Sequence, residues 1–216
     1  MRLSYRINWI FSDALGIFLG IAVAGGILSL ESQLLGQPGT PGGKIEGLGL
    51  ALVGGLIAGT ILAWFQWRML KRRYPALSWN VWWGNTVIAF IAAWILAILP
   101  SFSYHAESAT QQSVPPFGIP VYTLVYGSIL FGAVMGAIIG FAQWLELKKH
   151  REDAGEWIGM NVFGWSLGVF LLAMLGFLFQ GELSAFLLAG IAGGVVAALC
   201  IAGITSMFFQ QAEGGK

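Results

Sequence analysis

Charged residues are scarce in this sequence: they make up only 10% of its 216 residues, whereas soluble domains contain about 25%. Eleven basic and ten acidic side chains give a net charge of +1. No basic stripe with interleaved aromatic residues is present, so we expect no nucleic-acid partner. Together with 57% hydrophobic residues, the low charge argues against a soluble domain and predicts an integral membrane protein.

Residues that bind metals or act as nucleophiles are also scarce. The single cysteine, Cys200, lies in an apolar run and cannot form an intrachain disulfide. The two histidines, His105 and His150, fall in predicted loops on opposite sides of the membrane, so they cannot hold a haem together. No HExxH, paired Cys/His zinc spacing, Gly-x-Ser-x-Gly elbow or P-loop is present. We therefore expect no cofactor, no metal site and no enzymatic activity.

Long apolar runs are abundant, and six of them can cross about 30 Å of hydrocarbon, which takes about 20 helical residues. They predict an all-α protein with a single transmembrane domain over residues 1–216. The predicted spans are residues 9–30, 48–70, 79–99, 121–147, 157–180 and 183–209. The first run follows two arginines, as a signal peptide does. It is longer than a signal core and contains Asp13, so we keep it in the mature protein.

Basic residues are distributed unevenly over the two sides of a six-span protein. Ten fall on one side: Arg2, Arg6, Arg68, Lys71, Arg72, Arg73, Lys148, Lys149, Arg151 and Lys216. Only Lys44 falls on the other side, so the positive-inside rule predicts that both termini are cytoplasmic. Segments 31–47 and 100–120 are expected to be solvated connectors, and Gly181 with Glu182 a tight turn. Near the second basic run, Glu146 and Asp153 are expected to form solvated local pairs.

Small residues recur at four-residue spacing in three of the spans. Gly132, Gly136 and Gly140 precede Gln143-Trp144, and Gly55, Gly59 and Ala63 precede Gln66-Trp67. A weaker copy reads Gly194, Ala198, Ala202 and Thr205. This spacing places the small residues on one stripe of a helix. In lipid such stripes allow helices to approach closely, so they predict helix packing.

The remaining spans are also related to one another. The first span, with Trp9, Asp13, Gly16 and Gly20, matches the fifth, with Trp157, Asn161, Gly164 and Gly168, without a gap. The third span is a decayed copy in which Asn85 is the polar equivalent. The chain therefore reads as three repeated helical hairpins, and a two-span unit preserves orientation. We predict a six-helix bundle with pseudo-threefold symmetry, packed through Gly16, Gly20, Gly55, Gly59, Gly132, Gly136, Gly140, Gly164, Gly168 and Gly194.

Polar residues within the spans are few, and six of them are candidates for a common site: Asp13, Gln66, Asn85, Gln143, Asn161 and Thr205. The repeat places them at one depth, as a polar ring near the cytoplasmic mouth. Ionisable residues inside membranes are often functional, so the ring could be a binding site or gate. We favour the alternative that these residues form hydrogen bonds that only hold the helices together. Tryptophans at the same depth, including Trp9 and Trp157, are expected to form an interfacial aromatic belt.

The doubled pattern GxxxGxxxxxxQWxxL, at residues 55–70 and 132–147, resembles a group of multi-pass bacterial membrane proteins. These proteins are common in cyanobacteria and other photosynthetic or soil bacteria, and they carry tandem GxxxGxxQW-type repeats. The resemblance implies a bacterial inner (plasma) membrane, or a thylakoid membrane if the source is cyanobacterial. The group has no catalytic residues to transfer, so the resemblance implies no activity.

Two functions are compatible with these features. The first is a non-enzymatic scaffold or accessory subunit that binds lipid, pigment or other membrane-protein subunits, and it requires a bundle packed shut. The second is a transporter component or channel for a small solute, and it requires a cavity lined by the polar ring and open to one side. Membrane lipids are expected partners in both cases.

Overall fold

The structure, a computed structural model, describes residues 2–34, 41–107, 121–179 and 183–211. Within these ranges the protein is all-α, with six long helices, a short seventh helix and no strand. The helices are α1 (Arg2–Leu34), α2 (Pro41–Arg73), α3 (Trp79–Glu107), α4 (Val121–Leu147), α5 (Glu156–Leu178), α6 (Leu183–Thr205) and α7 (Phe208–Gln211). The predicted turn at Gly181 and Glu182, and Lys216, lie outside the described residues.

Five helices are long and apolar enough to cross a membrane, which indicates a multi-pass membrane protein. Their apolar segments are Leu3–Val23, Trp79–Ala97, Val121–Leu147, Glu156–Leu178 and Leu188–Gln210. Helix α2 contains the predicted second span, but its described residues are not apolar enough for it to be one of the five. Its glycines, together with Thr60, Gln66 and Arg68, lower its hydropathy.

Several helices continue beyond the predicted spans. Helix α1 ends at Leu34, α2 begins at Pro41 and α3 ends at Glu107, so parts of both segments expected to be solvated connectors are helical. A hydropathy pattern ends at the first polar residues, whereas a helix continues until its backbone meets a strong breaker. Pro41 suits the first position of α2, because the N–H that proline lacks would have no partner there.

The six long helices form a closed ring. Each packs on its neighbours along the chain, and α6 returns to α1. Helices α1, α3 and α5 begin, and α2, α4 and α6 end, at the same end of the bundle. There the Tyr5 hydroxyl donates to the Met69 carbonyl oxygen at 3.0 Å, which joins α1 to α2. We call this the basic end because it carries Arg6, Arg68, Lys71, Arg72, Arg73, Lys148, Lys149 and Arg151.

The ten glycines predicted to pack helices all face another helix. A Cβ atom added at any of them would lie within 4 Å of an atom of a neighbouring helix. The glycine stripes of α2, α4 and α6 face α3, α5 and α1, respectively. The approach is closest between α4 and α5, where a Cβ at Gly132 would lie 2.7 Å from the Ser166 Cα atom. Only a hydrogen atom fits at such a position.

In α4 and α5, buried residues concentrate in the half nearer the basic end of the bundle, which we call the basic half. In α4, seven of the eight buried residues lie from Gly132 onwards, and Ser128 is the eighth. In α5 the last buried residue is Gly168, and the next ten residues contribute none. We call the remainder the opposite half. Helices α4 and α5 are therefore tightly packed in the basic half and loosely packed in the opposite half.

Candidate functional site

Buried polar side chains from all six long helices meet in one hydrogen-bonded network in the basic half. At its centre, Gln143 Nε2 donates to Gln66 Oε1 at 2.7 Å and to Thr86 Oγ1 at 3.1 Å. Gln143 Oε1 accepts a hydrogen bond from Trp157 Nε1 at 2.9 Å. We call this set the polar network, and its members are Trp9, Asp13, Gln66, Thr86, Gln143, Trp157 and Thr205.

Asp13 is the only acid of the polar network, and its side chain is fully buried. Its Oδ1 accepts from Gln66 Nε2 at 2.9 Å, and its Oδ2 accepts from the Thr205 hydroxyl at 2.9 Å. Thr205 Oγ1 in turn accepts from Trp9 Nε1 at 3.2 Å. Both carboxyl oxygens thus have donors that replace part of the water lost on burial.

The structure brings together four of the six residues predicted for the polar ring: Asp13, Gln66, Gln143 and Thr205. Asn161 is buried beside them, but its Nδ2 donates to the Trp157 carbonyl oxygen of its own helix at 2.9 Å. Asn85 is half-buried and does not join the network. Thr86 occupies that place instead. Adjacent residues of a helix point about 100° apart, so an error of one residue in aligning the third span selects the wrong face.

An aromatic layer covers the polar network on the side of the basic end. We call it the aromatic floor, and its members are Trp9, Trp82, Trp157, Phe208 and Phe209. The Trp9 ring contacts the Trp157 and Phe209 rings edge to face, with centroid distances of 5.8 Å and 4.8 Å. Phe208 contacts Trp157 in the same way at 5.2 Å. Phe209 is 2% exposed, and the other four side chains are fully buried.

The prediction that Trp9 and Trp157 belong to an interfacial belt is wrong. A belt tryptophan keeps its ring N–H in the interfacial water. Here both N–H groups donate to buried oxygens of the polar network, and both rings are fully buried. The two tryptophans are core residues that join the aromatic floor to the polar network. Phe208 and Phe209 are the last two residues of the predicted sixth span, and no sequence pattern singled them out as core residues.

Glu146 contacts both loops of the basic end, residues 74–78 and residues 148–155. Its carboxylate accepts from the Ser78 backbone N–H at 3.1 Å and from Lys149 Nζ at 2.6 Å. Its side chain is only 3% exposed, so the prediction of a solvated pair is wrong for this residue. Glu146 lies at the helix end that faces both loops, which a linear sequence pattern does not reveal.

Arg151 closes the outer surface of the aromatic floor. Its guanidinium lies 3.9 Å from the centroid of the Phe208 ring and donates to the Phe208 carbonyl oxygen at 2.6 Å. It also pairs with Asp153, which stays 45% exposed. The hydrogen bond from Arg151 lowers the pKa of the Asp153 carboxyl below its usual value, against a smaller opposing effect of burial.

The side chains of the polar network bond to one another. They provide one carboxyl group, two amides, two hydroxyls and two indole N–H groups. Among the described residues there is no group of three or more His, Cys, Asp or Glu side chains that could hold a metal ion. The geometry therefore fits a link between helices.

No family model, curated protein or solved structure matches this chain.

Proposed function

We propose that this protein is a non-enzymatic integral membrane scaffold or accessory subunit that binds lipids, pigments or partner membrane proteins. The supporting observation is that the polar network is closed. Its polar members other than the tryptophans are at most 2% exposed. They bond to one another, and the aromatic floor covers them on the side of the basic end. A transporter or channel would need these groups to face a cavity open to one side.

The polar network is suited to hold six helices in one arrangement. Interhelical hydrogen bonds in membrane proteins contribute about 0.6–2 kcal/mol each. Because Gln66 bonds to two neighbours and Gln143 bonds to three, displacing one helix breaks bonds to several others. Such a network gives a bundle of fixed shape, which a partner or pigment can bind without reorganising it.

The proposal includes three hairpins, α1–α2, α3–α4 and α5–α6, related by pseudo-threefold rotation. Two observations support this arrangement. The glycine stripe that closes each hairpin faces the first helix of the next hairpin. Gln66, Gln143 and Thr205, which end those stripes, all belong to the polar network.

We also propose that all six long helices span the membrane, with the basic end and both termini in the cytoplasm. The uneven distribution of basic residues supports this orientation. The membrane would be a bacterial inner membrane, or a thylakoid membrane in a cyanobacterium, as the repeat pattern implies.

Purification of the full chain from its native membrane in mild detergent tests the proposed function. We expect a stoichiometric partner protein or a bound pigment, seen by mass spectrometry or in the absorption spectrum. A colourless, solitary protein that a small solute stabilises against heat would contradict the scaffold and favour transport. The matched control is Asp13→Asn. Loss of the solute effect in that variant would place the solute at the polar network.

A further inference from the structure

A polar groove lies between α1 and α2 near the basic end. It has a volume of about 270 Å³, and its lining residues are Asn8, Ser12, Phe65, Arg68, Met69 and Arg72. Arg68 and Arg72 are one helical turn apart on α2, and Asn8 and Ser12 are one turn apart on α1. Two cationic side chains and two uncharged polar side chains therefore line the same groove.

The charges of this groove are not neutralised by the described part of the chain. No carboxylate there pairs with Arg68 or Arg72. The Arg68 guanidinium lies 4.8 Å from the centroid of the Trp64 ring, a contact that leaves its N–H donors available. Guanidinium groups bind phosphate oxygens in pairs of parallel hydrogen bonds. The groove thus has the chemistry to bind a phosphate-bearing anion.

Apolar side chains beside the groove indicate the source of that anion. Phe11 is 67% exposed and Trp64 is 42% exposed, although both belong to helices of the apolar bundle. Leu15, one turn beyond Phe11, is also exposed. A free phosphate ion makes no favourable contact with apolar side chains, whereas the acyl chains of a lipid would cover them.

We propose that this groove binds the headgroup of an anionic phospholipid. The phosphate would lie between Arg68 and Arg72, and the acyl chains would lie along Phe11, Leu15 and Trp64. The inference rests on the membrane placement of α1 and α2 in the proposed function. It goes beyond general attraction of basic residues to lipid, because it assigns one groove and two arginine donors; the Ser12 hydroxyl in that groove already donates to the Phe65 carbonyl oxygen at 3.0 Å.

The repeat supports a site restricted to the first hairpin. At the positions that correspond to Arg68 and Arg72, the second hairpin has Leu145 and Lys149, and the third has Met207 and Gln211. In α5, Glu156 and Met160 correspond to Asn8 and Ser12. An acidic residue in that place would repel a phosphate. Only the first hairpin combines two arginines with two neutral polar residues.

The test is native mass spectrometry of the full chain in neutral detergent, titrated with phosphatidylglycerol, phosphatidylcholine or inorganic phosphate. Arg68→Gln/Arg72→Gln removes both groove cations. Lys71→Gln/Lys148→Gln removes the same charge from the basic end outside the groove. We expect the first variant to weaken phosphatidylglycerol binding about thirty-fold and the second to weaken it by less than about three-fold. Inorganic phosphate should not compete.

Equal losses in the two double variants would overturn the proposal, because they would show a response to net charge alone. Competition by inorganic phosphate would overturn the lipid assignment. If the glutamine variant does not fold, Arg68→Lys/Arg72→Lys replaces it, because it keeps both charges but loses the paired hydrogen bonds. We expect this variant to bind phosphatidylglycerol about three-fold or more weakly than the wild type. Unchanged binding would overturn the proposal. Carbonate extraction tests membrane placement separately, so failure of the proposed function is distinguishable from failure of this site.

Discussion

The two halves of the bundle share the same helices but differ in how those helices are joined. In the basic half, glycines bring backbones together and polar side chains bond across every helix. Within α4, a Cβ added at Gly127 in the opposite half would meet nothing within 4 Å, whereas one added at Gly132, Gly136 or Gly140 in the basic half would meet α5 at 3.0 Å or less. Ser128, the buried polar residue there in α4, donates to the Val125 carbonyl oxygen of its own helix at 3.0 Å. In α4 and α5, the basic half is joined to other helices and the opposite half is mostly apolar surface.

This difference follows from the physics of association in lipid. Because lipid chains are as apolar as leucine, helices gain little by burying apolar side chains against one another. Close backbone contact and interhelical hydrogen bonds must supply the specificity. Both are found in the basic half, and we infer that this half determines the arrangement of the whole bundle.

The largest expected effect comes from breaking the closest backbone contact. In Gly136→Leu, the new Cβ would lie 2.7 Å from the Asn161 carbonyl carbon and 2.8 Å from the Val162 Cα atom, so α4 and α5 must separate. We expect a loss of about 3 kcal/mol or more in the free energy of unfolding. The measurement is denaturant unfolding in detergent. The control is Gly127→Leu in the same helix, which should change stability little; equal losses would refute the difference between the halves.

The next effect concerns the polar network. Gln143→Leu removes the hydrogen bonds to Gln66, Thr86 and Trp157 and leaves their polar groups buried. We expect a loss of about 2 kcal/mol in the same unfolding measurement. Ser128→Ala in the opposite half removes only a bond within one helix turn and should cost less than about 0.5 kcal/mol. A Gln143 variant as stable as the wild type would show that the network does not hold the helices.

A smaller effect is expected for Asp13→Asn. The new side chain keeps Oδ1 for Gln66, and the Thr205 hydroxyl already lies 3.2 Å from the Ala202 carbonyl oxygen, which can accept its hydrogen. We expect a loss of about 1 kcal/mol or less by thermal unfolding. Partner or pigment binding should be unchanged, because the account gives Asp13 a structural role. Normal stability with lost binding would instead make Asp13 a functional acid.

The smallest effect lies at the surface of the basic end. The Arg151 guanidinium lowers the pKa of the Asp153 carboxyl in the folded protein below its ordinary value of 3.8. The pair therefore stabilises the protein fully at pH values above 3.8, and this stabilisation is lost as the pH falls through the folded-state pKa. The side chain is 45% exposed, so Asp153→Asn should cost only a few tenths of a kcal/mol at neutral pH. The difference from the wild type should shrink as the pH falls below 3.8. A difference that persists at low pH would mean that the charge is not its cause.

Some features of the fold follow from sequence pattern alone. Long apolar runs predict membrane helices because hydrocarbon thickness sets their length. The four-residue spacing of small residues identifies faces that contact other helices. The proposed repeat predicted that Asp13, Gln66, Gln143 and Thr205 lie at one depth, and these four side chains do meet in the polar network.

The features that could not be predicted depend on rotation and on contacts distant in the chain. Thr86 was missed because a decayed repeat does not fix which of two adjacent residues faces inward. The burial of Trp9 and Trp157 depends on Phe208 and Phe209, which follow a turn after α6. Tryptophan at that depth fits a belt and a core equally well until its N–H acceptor is known.

The central claim, that the polar network is closed, is tested most directly by chemical accessibility at Thr86. Thr86→Cys is introduced with Cys200→Ala, and membrane vesicles are treated from each side with a water-soluble maleimide. The network is closed if Cys at position 86 reacts only after denaturation, while a Lys71→Cys control reacts from the basic side in the native state. Native labelling at position 86 from either side would contradict the account and reveal an aqueous path to the network.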